Sequence, residues 1–123
     1  MQSVLILEDE ALIADLLEAT LVRAGFHVVG TAATQDQARS LLAKDKPSIA
    51  LLDINLGATE RSYDFAREIR KLDIPYVFFT GYETTTLPDD LAGSHVMPKT
   101  TPRRQIAKVV ETILSTQTAK PYA

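Results

Sequence analysis

Five short apolar runs, separated by stretches of helical periodicity, leave this chain very few folds. The runs are VLIL (Val4–Leu7), HVVGTA (His27–Ala32), IALL (Ile49–Leu52), YVFFT (Tyr76–Thr80) and HVMP (His95–Pro98). Each is continuous rather than alternating and rich in branched or aromatic residues, the pattern of strands buried on both faces of a parallel sheet. Between them lie four apolar stripes at helical spacing: Leu12, Ile13, Leu16, Leu17 and Leu21; Ala38, Leu41 and Leu42; Phe65, Ala66, Ile69 and Leu72; Ile106, Val109, Val110, Ile113 and Leu114. Gly25 is a natural stop for the first, and Pro75 closes the third. Thr34 with Gln37 reads as a capping box for the second. Pro102 suits the first position of the last helix, with Thr101 as its cap.

The order is βαβαβαβ, a gap, then βα, which predicts an α/β domain with a doubly wound parallel sheet and right-handed crossovers. The gap is Gly81 to Ser94. Its threonines, internal proline and two glycines predict a loop with at most one or two helical turns. The 123 residues fit a single domain, 1–118, with 119–123 as a frayed tail.

Composition narrows the chemistry. With 46% apolar residues a core needs no metal or disulfide staple, and with no cysteine neither thiol catalysis nor a cysteine zinc site is open. The net charge of −3 argues against non-specific nucleic-acid binding. No apolar run approaches the roughly 20 residues of a membrane span, and the N-terminus lacks signal-peptide features. A cytoplasmic protein without nucleic-acid or membrane partners is expected.

Ligands of open α/β sheets bind beyond the carboxyl ends of the strands. There the first strand is followed by Glu8, Asp9 and Glu10, the third by Asp53, the fourth ends in Thr80, and the fifth is followed by Lys99. Three of these acids, Glu8, Asp9 and Asp53, converge there and repel one another unless a cation joins them, and oxygen donors alone favour a hard ion, Mg²⁺ or Mn²⁺. One carboxylate can then act as nucleophile toward a phosphoryl group, with the Thr80 hydroxyl and Lys99 ammonium on the remaining oxygens.

With Glu8-Asp9, Asp53, Thr80 and Lys99 each at a strand end, the chain resembles a receiver domain of bacterial two-component response regulators over nearly its whole length. The resemblance implies a flavodoxin-like five-stranded sheet in the order 2-1-3-4-5. It implies that Asp53 is the phosphoacceptor, and that Asp9, Asp53 and the backbone carbonyl of Asn55 ligate Mg²⁺ with Glu8 acting through water. It implies that Lys99 pairs with Asp53, and that Thr80 and the backbone N–H groups of Asn55 and Gly81 bind phosphoryl oxygens. The expected donor is a sensor histidine kinase or phosphotransfer protein. Output is expected through an unidentified downstream protein or as a phosphate shuttle or sink, from a stand-alone monomer or weak dimer with no separate enzymatic activity. The stretch FFTGYE (Phe78–Glu83) is similar to the signature of the "FAT GUY" receivers, with Phe79 in place of the usual alanine.

Two positions depart from the receiver pattern. Receivers carry Lys-Pro with a cis peptide after the fifth strand, whereas this chain reads Pro98-Lys99-Thr100. A cis Lys99–Thr100 bond would cost about 3 kcal/mol; a trans bond with a re-routed loop, or a cis Met97–Pro98 bond, are the alternatives. Val96 stands where an aromatic switch residue is usual, and Tyr82 is the expected substitute. Two rival functions follow from the same residues: a pseudo-receiver that only binds partners, and a small Mg²⁺-dependent phosphohydrolase with Asp53 as nucleophile. The second lacks an acid at Asn55, two residues past the nucleophile.

Overall fold

The computed structural model describes residues 2–81 and 86–119. In chain order the elements are β1 (Ser3–Leu7), α1 (Ala11–Arg23), β2 (His27–Ala32), α2 (Gln35–Lys44), β3 (Ile49–Asp53), β4 (Asn55–Leu56), β5 (Glu60–Arg61), α3 (Tyr63–Lys71), β6 (Tyr76–Thr80), a 3₁₀ turn (Asp89–Leu91), β7 (His95–Pro98) and α4 (Arg103–Ala119). Five strands pair in parallel in the order β2-β1-β3-β6-β7, the expected 2-1-3-4-5 arrangement once the small hairpin is numbered. Strands β4 and β5 pair antiparallel outside that sheet.

Alternation along the strands divides the core into two layers. Leu5, Leu7, Ala50, Leu52 and Phe78 pack with Ala38 of α2 and Phe65, Ala66 and Ile69 of α3. Val4, Ile6, Ile49, Leu51, Val77 and Phe79 pack with Leu17 and Leu21 of α1 and Ile106, Val110 and Ile113 of α4. The three central strands β1, β3 and β6 are buried on both faces as expected. Strands β2 and β7 are not, because they form the sheet edges; His27, His95, Val96 and Pro98 are exposed. The first helical stripe is also narrower than its leucines predict. Leu12 is 85% exposed and Leu16 39%, while Ala14, Leu17 and Leu21 face the sheet. Leu72 lies beyond the end of α3 and is largely exposed.

Two helices close with the same hydrogen-bond pattern. After α1, Gly25 takes φ +99°, its N–H donates to Val22 and the Phe26 N–H donates to Leu21, burying Phe26. After α3, Asp73 takes φ +59° while its N–H donates to Arg70 and the Ile74 N–H donates to Ile69. Helix α3 therefore ends before Pro75 is reached. An L-residue with a Cβ is strained in this left-handed conformation, and glycine is not. Asp73→Gly is expected to raise stability by about 0.5–1 kcal/mol, read as a higher denaturant midpoint at unchanged slope.

The capping box at α2 forms with a shift. Thr34 Oγ1 accepts from the Gln37 N–H at 3.2 Å, and Gln37 Oε1 accepts from the Ala33 N–H at 2.8 Å. Helix α4 starts at Arg103, one residue after the expected proline, and the Pro102 carbonyl accepts from the Gln105 N–H at 2.8 Å. It continues to Ala119, one residue into the stretch read as a tail; residues 120–123 lie outside the described residues.

Among the described residues of the Gly81–Ser94 gap, a 3₁₀ turn stands in place of a helix, as its composition predicts. Leu91 is buried and Leu87 packs on the core. The guanidinium of Arg67 grips the Asp90 carboxylate at 2.8 and 3.2 Å, Arg70 donates to the Asp90 carbonyl, and Tyr76 Oη lies 2.7 Å from Ser94 Oγ. Among the described residues no peptide is cis, so both Met97–Pro98 and Lys99–Thr100 are trans. No helix among the described residues is long and apolar enough to cross a membrane.

Candidate functional site

Parallel pairing brings the ends of β1, β3, β6 and β7 to one edge of the sheet. In β3, Ile49 and Leu51 point into the α1/α4 layer, and Asp53 is the next residue in that alternation. Leu7 pairs with Leu52, and Asp53 pairs with Phe79, so Glu8 and Thr80 follow directly beside the Asp53 position. Thr80 pairs with Pro98, and the Lys99 N–H donates to the Thr80 carbonyl at 2.6 Å, which fixes the start of the lysine. The trans Pro98-Lys99-Thr100 segment thus still delivers Lys99 to the strand edge.

Its side chain joins the acids. Lys99 Nζ lies 3.0 Å from Glu8 Oε1 and 3.1 Å from Asp53 Oδ2, and 5.9 Å from the centre of the Phe79 ring. Glu8 is 3% exposed and Asp53 4%, so this is a buried charge cluster. Glu8 Oε2 accepts from the Glu10 N–H at 3.1 Å. Glu8 Oε1 has no aligned hydrogen bond among the described residues; the lysine meets it as a close charge only. Asp9, nearer solvent, accepts from the Gly57 N–H at 2.9 Å through Oδ2. Gly57 has φ +77° and turns the chain between β4 and β5.

One carboxylate oxygen each from Glu8, Asp9 and Asp53 lie within 4.8 Å of one another. Three carboxylates face one ammonium. Burial is the largest influence on Asp53, followed by the adjoining Glu8 carboxylate; Lys99 opposes both, and the outcome is a carboxyl pushed up to about 7. For Lys99, burial acts to lower its affinity for a proton, but Glu8 and Asp53 outweigh it and the ammonium is held above its usual range. The donor set is all oxygen, one buried oxygen lacks an aligned donor, and the charge balance is negative. These features fit a hard divalent cation.

The remaining sequence-selected residues divide. Thr80, 9% exposed, closes β6 beside the cluster, and Gly81 follows it at the surface. Asn55 is exposed in β4, two residues past Asp53, paired with Arg61. Tyr82 lies outside the described residues. Sequence reading missed the β4–β5 hairpin and the Gly57–Asp9 contact; Gly57 was their only local signal.

The response regulator receiver domain family matches residues 4–111. Among curated proteins, the chain is similar to phyllosphere-induced regulator PhyR of Methylorubrum extorquens, 36% identical over 81 residues, covering 64% of this chain and 30% of that protein. It is also similar to transcriptional regulatory protein AfsQ1 of Streptomyces coelicolor, 35% identical over 81 residues, covering 65% and 35%. The chain thus spans about a third of the length of these relatives. The solution structure of the Erythrobacter litoralis PhyR receiver domain superposes with a TM-score of 0.85 at 32% identity, covering 99% of this chain and 95% of that one. That of SdrG from Sphingomonas melonis gives 0.78 at 32% identity, covering 93% and 97%.

Proposed function

This chain belongs to the response regulator receiver family of two-component signalling, and on that premise we propose that Asp53 takes up a phosphoryl group from the phosphohistidine of a sensor kinase or phosphotransfer protein. The observation that carries the proposal is Lys99, which lies within 3.1 Å of both buried carboxylates at the strand edge where Thr80 ends. An Asp53 carboxylate oxygen attacks phosphorus, the P–N bond to the donor imidazole breaks, and the electron pair leaves with the imidazole nitrogen. Lys99 counters the charge on the phosphoryl oxygens, and the Thr80 hydroxyl and the Gly81 and Asn55 N–H groups donate to them. Mg²⁺, or Mn²⁺ in its place, would be held by Asp9, Asp53 and the Asn55 carbonyl, with Glu8 behind water, and would supply charge that neutralises the phosphoryl group.

The FFTGY stretch, Phe78 to Tyr82, supports placing the chain among the "FAT GUY" receivers. Output then passes by protein–protein contact, since phosphorylation shifts a two-state equilibrium at the strand edge that β6 and β7 share with the loop between them.

Intact-mass measurement with acetyl phosphate tests the reading. One phosphoryl adduct is expected with Mg²⁺, lost in EDTA and in Asp53→Asn. A protein that stays unmodified with both acetyl phosphate and a phosphorylated donor domain would instead be a pseudo-receiver. Catalytic release of phosphate from small phosphate esters would favour the phosphohydrolase.

A further inference from the structure

The loop that follows Asp53 is held from a distance. Strands β4 and β5 contribute two residues each, too little pairing to stand alone in water. Two further bonds secure them, and a third ties the anchoring residue to α3. The Ser62 N–H donates to the Ile54 carbonyl at 3.1 Å. Glu60 Oε2 accepts from the Gln35 N–H at 2.8 Å, at the N-terminal residue of α2. Gln35 Oε1 in turn accepts from the Phe65 N–H at 2.9 Å, in the first turn of α3. Ser62, which occupies the N-cap position of α3, makes no cap bond with its buried hydroxyl, so Gln35 supplies the cap from the neighbouring helix.

We infer that Glu60, held by the backbone N–H of Gln35, is a positioning residue for the acidic site. No hydrogen bond or ion pair joins Glu60 to Glu8, Asp9 or Asp53 among the described residues; Glu60 fixes the hairpin that carries Asn55 and Gly57. The Gly57 N–H holds one oxygen of Asp9, and Asn55 is the residue whose carbonyl the proposed function assigns to the cation. A carboxylate at the start of α2 is favoured by the helix dipole and by the free N–H groups there, so Glu60 is a strong anchor for a weak hairpin. With the anchor in place, the backbone beside Asp53 is ordered before any ligand arrives, and a bound cation does not have to order it. The inference rests on the phosphoryl-receiver reading for the identity of the ligand, and not for the geometry.

Mg²⁺ titration of the whole chain, followed by amide chemical shifts, reads the effect. Glu60→Ala is expected to raise the Mg²⁺ dissociation constant about threefold to tenfold, whereas Gln35→Ala keeps the backbone N–H that Glu60 accepts from and should stay within about twofold of wild type. Glu60→Ala should also speed hydrogen exchange of the Gly57 amide in the metal-free protein. Glu60→Gln keeps an acceptor for the Gln35 N–H without the charge, and should fall between Glu60→Ala and wild type in both readouts. Glu68→Ala removes the bidentate Arg39–Glu68 pair between the same two helices without touching the hairpin, and should leave both unchanged. Wild-type Mg²⁺ binding that Glu60→Ala does not weaken, or that Glu68→Ala weakens equally, overturns the inference while leaving the receiver reading intact. Absence of Mg²⁺ binding in wild type overturns the receiver reading instead, and the Gly57 exchange rate still decides whether Glu60 anchors the hairpin.

Discussion

Lys99→Ala is expected to slow phosphoryl uptake at Asp53 by about a hundredfold or more and to destabilise the metal-free protein by about 2 kcal/mol. The rate effect follows from position. Lys99 Nζ already stands 3.1 Å from the Asp53 oxygen, so its charge needs no rearrangement when oxygens of the incoming group arrive. The stability effect follows from what would remain. Glu8 and Asp53 would be buried side by side with no cation among the described residues to meet them. A proton taken up by the pair limits the loss below the 3–5 kcal/mol typical of a broken buried ion pair. Acetyl phosphate kinetics by intact mass and thermal unfolding in EDTA measure the two effects separately. An uptake rate within threefold of wild type would remove Lys99 from the proposed mechanism.

Asp53→Asn is expected to act in the opposite direction on stability. Folding raises the Asp53 carboxyl from 3.8 to about 7, chiefly by burial and then by Glu8. The folded protein therefore binds more protons than the unfolded chain between those values, and stability falls as pH rises through them. The loss is absent well below pH 3.8, grows across the interval and is complete above about 7. At 1.36 kcal/mol per unit this sets a ceiling of about 4 kcal/mol. Asparagine carries no charge to desolvate, and its amide can donate to Glu8, leaving Lys99 paired with Glu8. In EDTA the variant should be more stable than wild type by about 2 kcal/mol near pH 8, with a smaller advantage near pH 5. Saturating Mg²⁺ should narrow the gap by stabilising wild type selectively. A pH-independent difference, or a less stable variant near pH 8, would contradict this account of the cluster.

The strand ends were legible because parallel pairing follows from continuous apolar runs, and pairing alone carries Glu8, Asp53, Thr80 and Lys99 to one edge. Lys99 was legible even without its proline, since the Thr80 carbonyl fixes its backbone. The hairpin was not. Two-residue strands carry no period, and the bonds securing them come from Gln35 and Glu60, 25 residues apart in sequence. Helix faces were read too broadly at α1, where Leu12 and Leu16 have helical spacing but look away from the sheet. Hydrophobic spacing states which residues share a stripe; the packing partner decides how wide the buried part is. The hold of Arg67 and Arg70 on Asp90 depends on where the β6–β7 connection folds back, which no local pattern records.

Glu8 Oε1 is buried beside a close ammonium, without an aligned donor among the described residues. By thermodynamic reciprocity, whatever strain that oxygen and its neighbouring carboxylates impose on the metal-free protein is available as affinity to a cation that relieves it. Fragility without the ion and tenacity with it are therefore one quantity viewed from two sides. A variant selected only for robustness in the absence of metal would tend to relax this corner first, and would become deaf to the ion in the same step.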